Sequence, residues 1–322
     1  MPRGARLDSP GTLHHVILRG IERRNIVDDD LDRENFITRL GQNAENSRTA
    51  IYAWALLDNH AHILMRSGTA GISVFMRRFL TGYAISYNRR HHRYGHLFQN
   101  RYKSIICEED TYFRELVRYI HLNPLRAGIV EDLAQLDRHP WCGHGVVMAR
   151  CDAPWQDRDY VLKWFGRTEG EAKRVYRAFV KKGIAEGQRP DLVGGGLIRS
   201  MGGWSVVKSL RRSGTPEKGD ARILGSGDFV TRMIDEAEQH IRRQLADDAV
   251  LESARKLINR CCTASDISID VLRNGSRRQA VSTVRRQLVL QLVNKLGLSM
   301  AETGRQLGLT TSGVAQILRR KG

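Results

Sequence analysis

The chain of 322 residues has a net charge of +17 and a sequence pI near 10.1. This charge favours a polyanionic partner, most simply nucleic acid, and leaves a ribosomal or membrane-surface role open. No apolar run approaches the roughly 20 residues of a membrane span, and the N-terminus lacks a secretory signal. Five dispersed cysteines without a Cys-x-x-Cys pair argue against a disulfide framework and a structural zinc site. We therefore expect a globular, cytoplasmic, nucleoid-associated protein with no membrane partner.

Residues 1–148 predict an α+β domain. The predicted strands are 12–18, 50–57, 60–66 and 102–107, and the predicted helices are 31–46, 71–87 and 111–123. The order β-α-β-β-α-β-α indicates an antiparallel sheet with helices on one face.

The motif His60-Ala61-His62 begins the second arm of a predicted hairpin. Side chains two residues apart on a strand point to the same face, so the two imidazoles project together. Two imidazoles on a rigid strand supply two ligands of a metal site. Taken alone, however, such a pair is more often solvent-facing or hydrogen-bonded.

Residues 67–106 form a basic stretch without a single acidic residue. Its seven basic residues are Arg77, Arg78, Arg89, Arg90, Arg93, Arg101 and Lys103. Aromatic residues are interleaved with them at Tyr87, Tyr94, Phe98 and Tyr102. Cations that follow a backbone and aromatic rings on which bases stack are typical of a single-strand nucleic-acid groove. The alternative is a solvated helix face beside ordinary core aromatics.

Tyr119 and Asn123 are four residues apart on the predicted helix 111–123 and therefore share one face. The amide oxygen of Asn123 is able to complete a metal site with His60 and His62. A metal on a basic surface suggests phosphoryl transfer, with water, serine or tyrosine as nucleophile. The alternative for Tyr119 is a structural residue of an amphipathic helix.

Two further regions follow the first domain. Residues 149–245 predict a helical and glycine-rich connecting region, and residues 246–322 predict a helical DNA-binding domain with a helix-turn-helix at 299–320. Residues 277–322 hold nine basic residues and one acid. The predicted contacts to duplex DNA are Thr311, Ser312, Gln316, Arg319 and Arg320. The alternative is a small structural pair of helices.

Several motifs carry a family resemblance. His60-Ala61-His62 has the form found in the HUH single-strand nucleases, and the run from Arg118 to Pro124 followed by Arg126-Ala127-Gly128 resembles the tyrosine motif of the REP-associated tyrosine transposases. The resemblance covers about residues 10–145. The C-terminal helices resemble, more weakly, the DNA-binding domain of the bacterial chromosomal replication initiator.

The resemblance implies a metal-dependent single-tyrosine transposase with a ferredoxin-like core. Tyr119 would be the nucleophile, and His60, His62 and Asn123 would bind Mg²⁺ or Mn²⁺. The substrate would be single-stranded or hairpin DNA, and the intermediate a 5′-phosphotyrosine. Arg118 or other nearby cations would help to form the phenolate.

Two other functions stay open from the sequence. One is a non-catalytic, sequence-specific DNA-binding regulator that uses the C-terminal helix-turn-helix. The other is a metal-dependent hydrolase that uses water, with Tyr119 in a structural role. Both a monomer and a homodimer are compatible with the sequence.

Overall fold

The structure is a computed structural model, and it describes residues 7, 10–99, 102–187, 189–193, 220, 222–276 and 278–319. Two predicted DNA contacts, Arg101 and Arg320, lie outside the described residues, as does most of the predicted glycine-rich stretch. The chain divides into two compact units, Met1–Ala237 and Glu238–Gly322. The predicted domain boundaries after residues 148 and 245 stay predictions.

The first unit is built on a mixed sheet. The strands are β1 Leu13–Arg19, β2 Ala50–Leu56, β3 His60–Arg66, β4 Lys103–Cys107 and β5 Ile223–Leu224. In the described part of the chain their order is β2-β3-β1-β4-β5. Strands β1 to β4 are antiparallel and follow the order of a ferredoxin-like core. The predicted fold class is therefore confirmed for this unit.

Later parts of the chain pair with part of β4 and part of β2, which lie towards opposite edges of this sheet. β5 pairs parallel with β4 at Ile106 and Cys107. Isolated bridges join β2 to Cys142 and Gln156. The sequence did not predict β5, because a two-residue strand is too short to show a periodic pattern.

Helices cover both faces of the sheet, so the prediction of helices on one face is wrong. α1 Asp30–Ser47 and α2 Gly71–Arg90 pack on one face, and α3 Glu109–His121 packs on the other. The physical reason is visible in β2, where six of seven residues are buried. Strands that are apolar on both sides need cover on both sides.

Shorter helices extend the core on the α3 side of the sheet. They are α4 Asn123–Arg126, α5 Leu133–Leu136, α6 Gly143–Val147, α7 Arg158–Lys163 and α8 Glu169–Lys182. A 3₁₀ turn, Pro190–Val193, then returns to the sheet and buries Leu192 in the same core. Residues predicted to connect domains thus contribute to the packing of the first unit.

Tyr176 joins two buried histidines on this side. Its hydroxyl lies 2.6 Å from His121 Nδ1 and 2.8 Å from His144 Nδ1, and all three side chains are fully buried. His144 Nε2 lies 2.9 Å from Asp137 Oδ1 and therefore donates to that carboxylate. The hydroxyl then donates to His144 and accepts from His121.

We expect Tyr176→Phe to lower the free energy of unfolding by about 2–4 kcal/mol, because it leaves two buried imidazole nitrogens without a partner. Chemical denaturation followed by circular dichroism measures this loss. Tyr94→Phe is the control, since Tyr94 is 97% exposed and a surface change is expected to stay within about 0.5 kcal/mol. A Tyr176→Phe protein as stable as the wild type would contradict the assigned hydrogen bonds.

Helix α9 Gly227–Ala264 follows β5. It begins in the first unit, which ends at Ala237. The helices that lie wholly in the second unit are α10 Ile269–Arg273, α11 Gln279–Asn294, α12 Met300–Leu307 and α13 Thr311–Arg319. Across the described residues, no helix combines the length and apolar character that a membrane crossing requires.

A short glycine turn joins α12 to α13. Ser299 Oγ caps α12 by accepting from the Glu302 amide at 3.1 Å. Gly308 ends the helix with φ of 68°, and a Cβ there would lie 2.1 Å from the Arg273 carbonyl oxygen. The two predicted helices and their turn are present, and their role in DNA binding stays a prediction.

Candidate active site

His60 and His62 stand at the start of β3 with ring centroids 5.3 Å apart. β3 pairs with β1, which places His60 opposite Arg19 and His62 opposite Ile17. His60 is half-buried, whereas His62 is 4% exposed. The pleat therefore holds two imidazoles side by side in a partly dehydrated position, as the sequence predicted from their spacing.

Asn59 determines which ring nitrogen of His60 carries the proton. His60 Nδ1 lies 2.6 Å from Asn59 Oδ1, and Asn59 Nδ2 donates to the Arg23 carbonyl at 3.2 Å. The second bond identifies which side-chain atom of Asn59 is the oxygen, so His60 Nδ1 is the donor. His60 Nε2 consequently keeps its lone pair.

A third histidine, His15 on β1, belongs to this cluster and was missed from the sequence. Its Nε2 lies 3.0 Å from His62 Nδ1, and the two rings stack with centroids 5.2 Å apart. His15 lies 47 residues before His62, so no local spacing links them. Among the described residues, no hydrogen-bond partner is found for Nε2 of His60 or of His62.

The histidines of the site are neutral at neutral pH. Burial, together with the charge of Arg19, lowers the pKa of His60 to about 4, and Asp58 opposes the shift. Burial also lowers the pKa of His62 well below its ordinary value, with added repulsion from His15 and His60. A neutral imidazole is the form that binds a metal ion.

Tyr119 on α3 packs against the histidines. Its ring centroid lies 5.6 Å from that of His62 and 5.9 Å from that of His15, both edge-on. Burial raises the pKa of the Tyr119 phenol, and the charges of Arg126 and Arg19 act against this rise. A phenol with a reference pKa near 10 needs such positive charge to ionise near neutral pH.

Arg126, not Arg118, supplies the guanidinium beside Tyr119. Cζ of Arg126 lies 5.4 Å from the centre of the Tyr119 ring. Arg118 is 6% exposed and pairs with Glu115 and Glu186. Adjacent helical residues point about 100° apart, so Arg118 turns away from Tyr119. Of the cations that the sequence left open, Arg118 or another nearby residue, the one beside the Tyr119 ring is therefore Arg126.

Asn123 begins α4, one turn after Tyr119. Its Nδ2 donates to the carbonyls of Tyr119 and Ile120 at 2.9 and 3.3 Å. The amide nitrogen is thus occupied by the end of α3, which leaves Oδ1 as the atom able to bind a cation.

The predicted basic residues are divided between the two faces of the sheet. Those exposed on α2 are Arg77, Arg78, Arg89 and Arg90. Lys103 on β4 belongs to the opposite face, where its Nζ donates to the Val193 carbonyl at 2.5 Å. The 67–106 stretch is therefore not one continuous surface.

A groove of about 960 Å³ runs between α2 and residues 95–98. Its walls include Arg77, Asn88, Phe98 and Tyr102. Arg93 does not line this groove, and its Cζ lies 5.6 Å from the centre of the Tyr87 ring. Arg77 therefore shares this groove with Phe98 and Tyr102, and its use by single-stranded nucleic acid stays a prediction.

Arg90 is held by acidic residues at the surface. It donates to Asp29 and to Asp32, at 2.5 and 2.7 Å, and would have to leave them to reach a phosphate. Asp28, Asp32 and His91 place ligand atoms within 4.8 Å of one another, as a cation site would. The Arg90 guanidinium already neutralises Asp32, which weakens that cluster as a metal site.

One comparison with protein families agrees, over part of the chain, with the class that the motifs predicted. No curated protein matches the chain. A solved structure of a REP-associated tyrosine transposase bound to a REP hairpin is similar at 18% identity and a TM-score of 0.40, over 47% of this chain and 87% of that chain. Residues 10–123 match the family described as "Transposase IS200 like". Over this range, which holds His60, His62, Tyr119 and Asn123, the chain is therefore similar to the IS200-like transposases.

Proposed function

We propose that the chain is a DNA transposase or endonuclease that cleaves and rejoins single-stranded, hairpin-flanked and repeat-associated DNA through Tyr119. The observation that carries this proposal is the Tyr119 ring packed against His62, beside His60, in a protein of net charge +17. The match of residues 10–123 to the IS200-like transposases supports the same class of reaction.

In this proposal His60, His62 and Asn123 hold a divalent ion, Mg²⁺ or Mn²⁺. The donor set fits such an ion, since it offers two neutral imidazoles and one amide oxygen. The bound ion supplies a Lewis acid to a non-bridging oxygen of the scissile phosphate. Imidazole ligands suit Mn²⁺ better than Mg²⁺, which prefers oxygen.

Tyr119 performs the displacement. Its Oη forms a bond to phosphorus while the bond from phosphorus to the 3′ oxygen breaks. The phenolic proton passes to solvent, and the departing oxygen takes up a proton to become a 3′-hydroxyl. Arg126 and Arg19 favour the phenolate by their charge. Attack of another 3′-hydroxyl on the 5′-phosphotyrosine reverses the step and joins strands without ATP.

The DNA strand is proposed to contact the exposed arginines of α2 and the groove beside them. Phosphate contacts of this kind dominate affinity and make it depend on salt. Arg93 and Arg101 are further proposed contacts. Lys103 lies on the opposite face of the sheet, where it donates to the Val193 carbonyl, so we propose that it contacts the strand only on the α3 side. Arg90 is proposed to contact phosphate after it leaves its carboxylates. The protein would act in the cytoplasm on the nucleoid, as a monomer or a homodimer.

A denaturing gel tests the reaction directly. The full chain is incubated with a hairpin-flanked single strand labelled on either end and with Mg²⁺ or Mn²⁺. A covalent adduct that retains only the label 3′ of the break, on a peptide containing Tyr119, supports the proposal. Cleavage without an adduct would favour the hydrolase that uses water.

The second candidate function is a non-catalytic regulator that binds duplex DNA through α12 and α13. The observation that favours it is the exposure of Thr311, Ser312, Gln316 and Arg319 on α13, while Val314 is buried. Exposed polar side chains on this side of α13 support a role as a recognition helix, which presents such side chains to the groove. The same surface also serves a transposase that docks on duplex DNA.

We expect Gln316→Ala to reduce affinity for the preferred duplex about 10-fold, because it removes a groove-side contact. Arg305→Ala is the matched control, since Arg305 is exposed on α12 and pairs with Glu302 at 2.7 Å. Fluorescence anisotropy with a selected duplex measures both. Equal affinity of the Gln316→Ala protein and the wild type would remove Gln316 from the interface.

A further inference from the structure

A hydrogen-bonded chain runs from a backbone carbonyl through His15 to His62. His15 Nδ1 lies 3.1 Å from the carbonyl oxygen of Leu192, and His15 Nε2 lies 3.0 Å from His62 Nδ1. His15 is fully buried, and His62 and Leu192 are 4% and 1% exposed. Water is therefore largely excluded as a competing partner along this chain.

The donor and the acceptor of each hydrogen bond in this chain follow from the Leu192 carbonyl at its start. A carbonyl oxygen only accepts, so His15 Nδ1 carries the proton. In the neutral ring His15 Nε2 then accepts, and His62 Nδ1 must donate to it. His62 Nε2 is left with its lone pair. We propose that His15 is a positioning residue which, held by the Leu192 carbonyl, fixes the tautomer of His62 that presents Nε2 to a divalent ion.

His60 has the same tautomer as His62, but a different hydrogen-bond acceptor fixes it. There the acceptor is the Asn59 side chain, which is itself oriented by the Arg23 carbonyl. Both imidazoles thus have Nδ1 protonated and Nε2 available. Partners that fix a ligating imidazole in this way typically change metal affinity 10- to 100-fold.

The carbonyl that starts the chain comes from outside the range that matches the transposase family. The Pro190–Val193 turn is held against the sheet by the bond from Lys103 to Val193 and by the buried side chain of Leu192. Arg189 adds ion pairs to Glu115 on α3 and to Glu186. The segment after the family match therefore orders the proposed metal site.

His15 as a third metal ligand is the competing explanation. Its Nε2 is occupied by His62 Nδ1 and its Nδ1 by Leu192, so it has no ring nitrogen left for an ion. To bind metal, His15 would have to give up one of these bonds. The two explanations therefore predict different nitrogen resonances.

The experiment reads ring protonation in the full chain without DNA, by long-range ¹H–¹⁵N correlation on ¹⁵N-histidine-labelled protein. We expect wild-type His62 to show a protonated Nδ1 and an unprotonated Nε2. Titrated Mn²⁺ is expected to bind about 10- to 100-fold more weakly to His15→Leu. His15→Gln, whose amide has both an acceptor and a donor, is expected to recover most of the affinity.

His14→Leu is the matched control. His14 is a neighbour on β1, is equally buried, and has its Nδ1 2.9 Å from Ser104 Oγ. Its replacement perturbs the same strand and is expected to leave the His62 tautomer and Mn²⁺ affinity unchanged.

A protonated Nε2 on wild-type His62 would overturn the proposal without any variant. Mn²⁺ affinity in His15→Leu within twofold of the wild type would also overturn it, as would a Mn²⁺ complex in which His15 loses its bond to His62. The inference rests on the proposed metal role of His60 and His62. Because its readouts need neither DNA nor turnover, failure to form a Tyr119 adduct would refute the proposed function while leaving the tautomer result intact.

Discussion

Tyr119→Phe is expected to abolish the covalent protein–DNA adduct and to reduce strand cleavage by roughly 1,000-fold or more. The change removes only the attacking oxygen and keeps the ring that packs against His62 and His15. Among the described residues the Tyr119 hydroxyl makes no hydrogen bond, so its loss leaves no buried group unpaired. The protein should therefore unfold at the same denaturant concentration as the wild type. Denaturing gels and single-turnover rates measure the effect.

Tyr112→Phe is the control for this result. Tyr112 lies two turns earlier on α3, is half-buried, and packs against the same core. Its variant should retain adduct formation. Cleavage that survives in Tyr119→Phe at more than a tenth of the wild-type rate would reject Tyr119 as the nucleophile and favour attack by water.

His60→Ala is expected to eliminate metal-dependent cleavage, by more than about 100-fold, while hairpin affinity stays within about threefold of the wild type. The reason is that affinity for DNA comes mainly from phosphate contacts, whereas cleavage requires the ion. His60 is the better of the two positions to change, because it is half-buried at a strand end and His62 is packed inside. In the wild type, Mn²⁺ should support at least the activity of Mg²⁺.

Fluorescence anisotropy at one fixed salt concentration separates the two roles of His60, with calorimetric Mn²⁺ titration as the independent readout. His139→Ala is a matched control, since His139 is also a partly buried histidine and burial lowers its pKa as well. A collapse of hairpin affinity in His60→Ala would show that the pair supports the fold or the DNA surface rather than an ion.

The sequence predicts local relations well at this site. The strand period places His60 and His62 on one face, and the helix period places Asn123 one turn after Tyr119. The sequence does not predict contacts between residues that are far apart in the chain. His15 is identified only by its contacts with His62 and Leu192, and the second of these lies in a segment without a recognisable pattern.

The sequence left the cation beside Tyr119 open, as Arg118 or another nearby residue. Sequence proximity favoured Arg118, the immediate neighbour of Tyr119, but the geometry of a helix turns adjacent side chains apart. Arg126 lies seven residues, about two helical turns, after Tyr119, and the bond from the Arg126 amide to the Leu122 carbonyl carries the helical path from α3 into α4. The division of the basic stretch between two faces depends on where β4 inserts into the sheet.

The covered edges of the sheet bear on how two copies of this protein are able to associate. A bare outer strand offers a row of unpaired amides to a neighbouring molecule, and many proteins dimerise or aggregate by continuing a sheet in this way. Here β5 lies along β4, and the bridges to Cys142 and Gln156 interrupt β2. A homodimer formed by sheet extension would first have to displace one of these segments. We therefore expect two copies to associate through helical or loop surfaces of the described residues rather than by pairing at these covered stretches of β2 and β4.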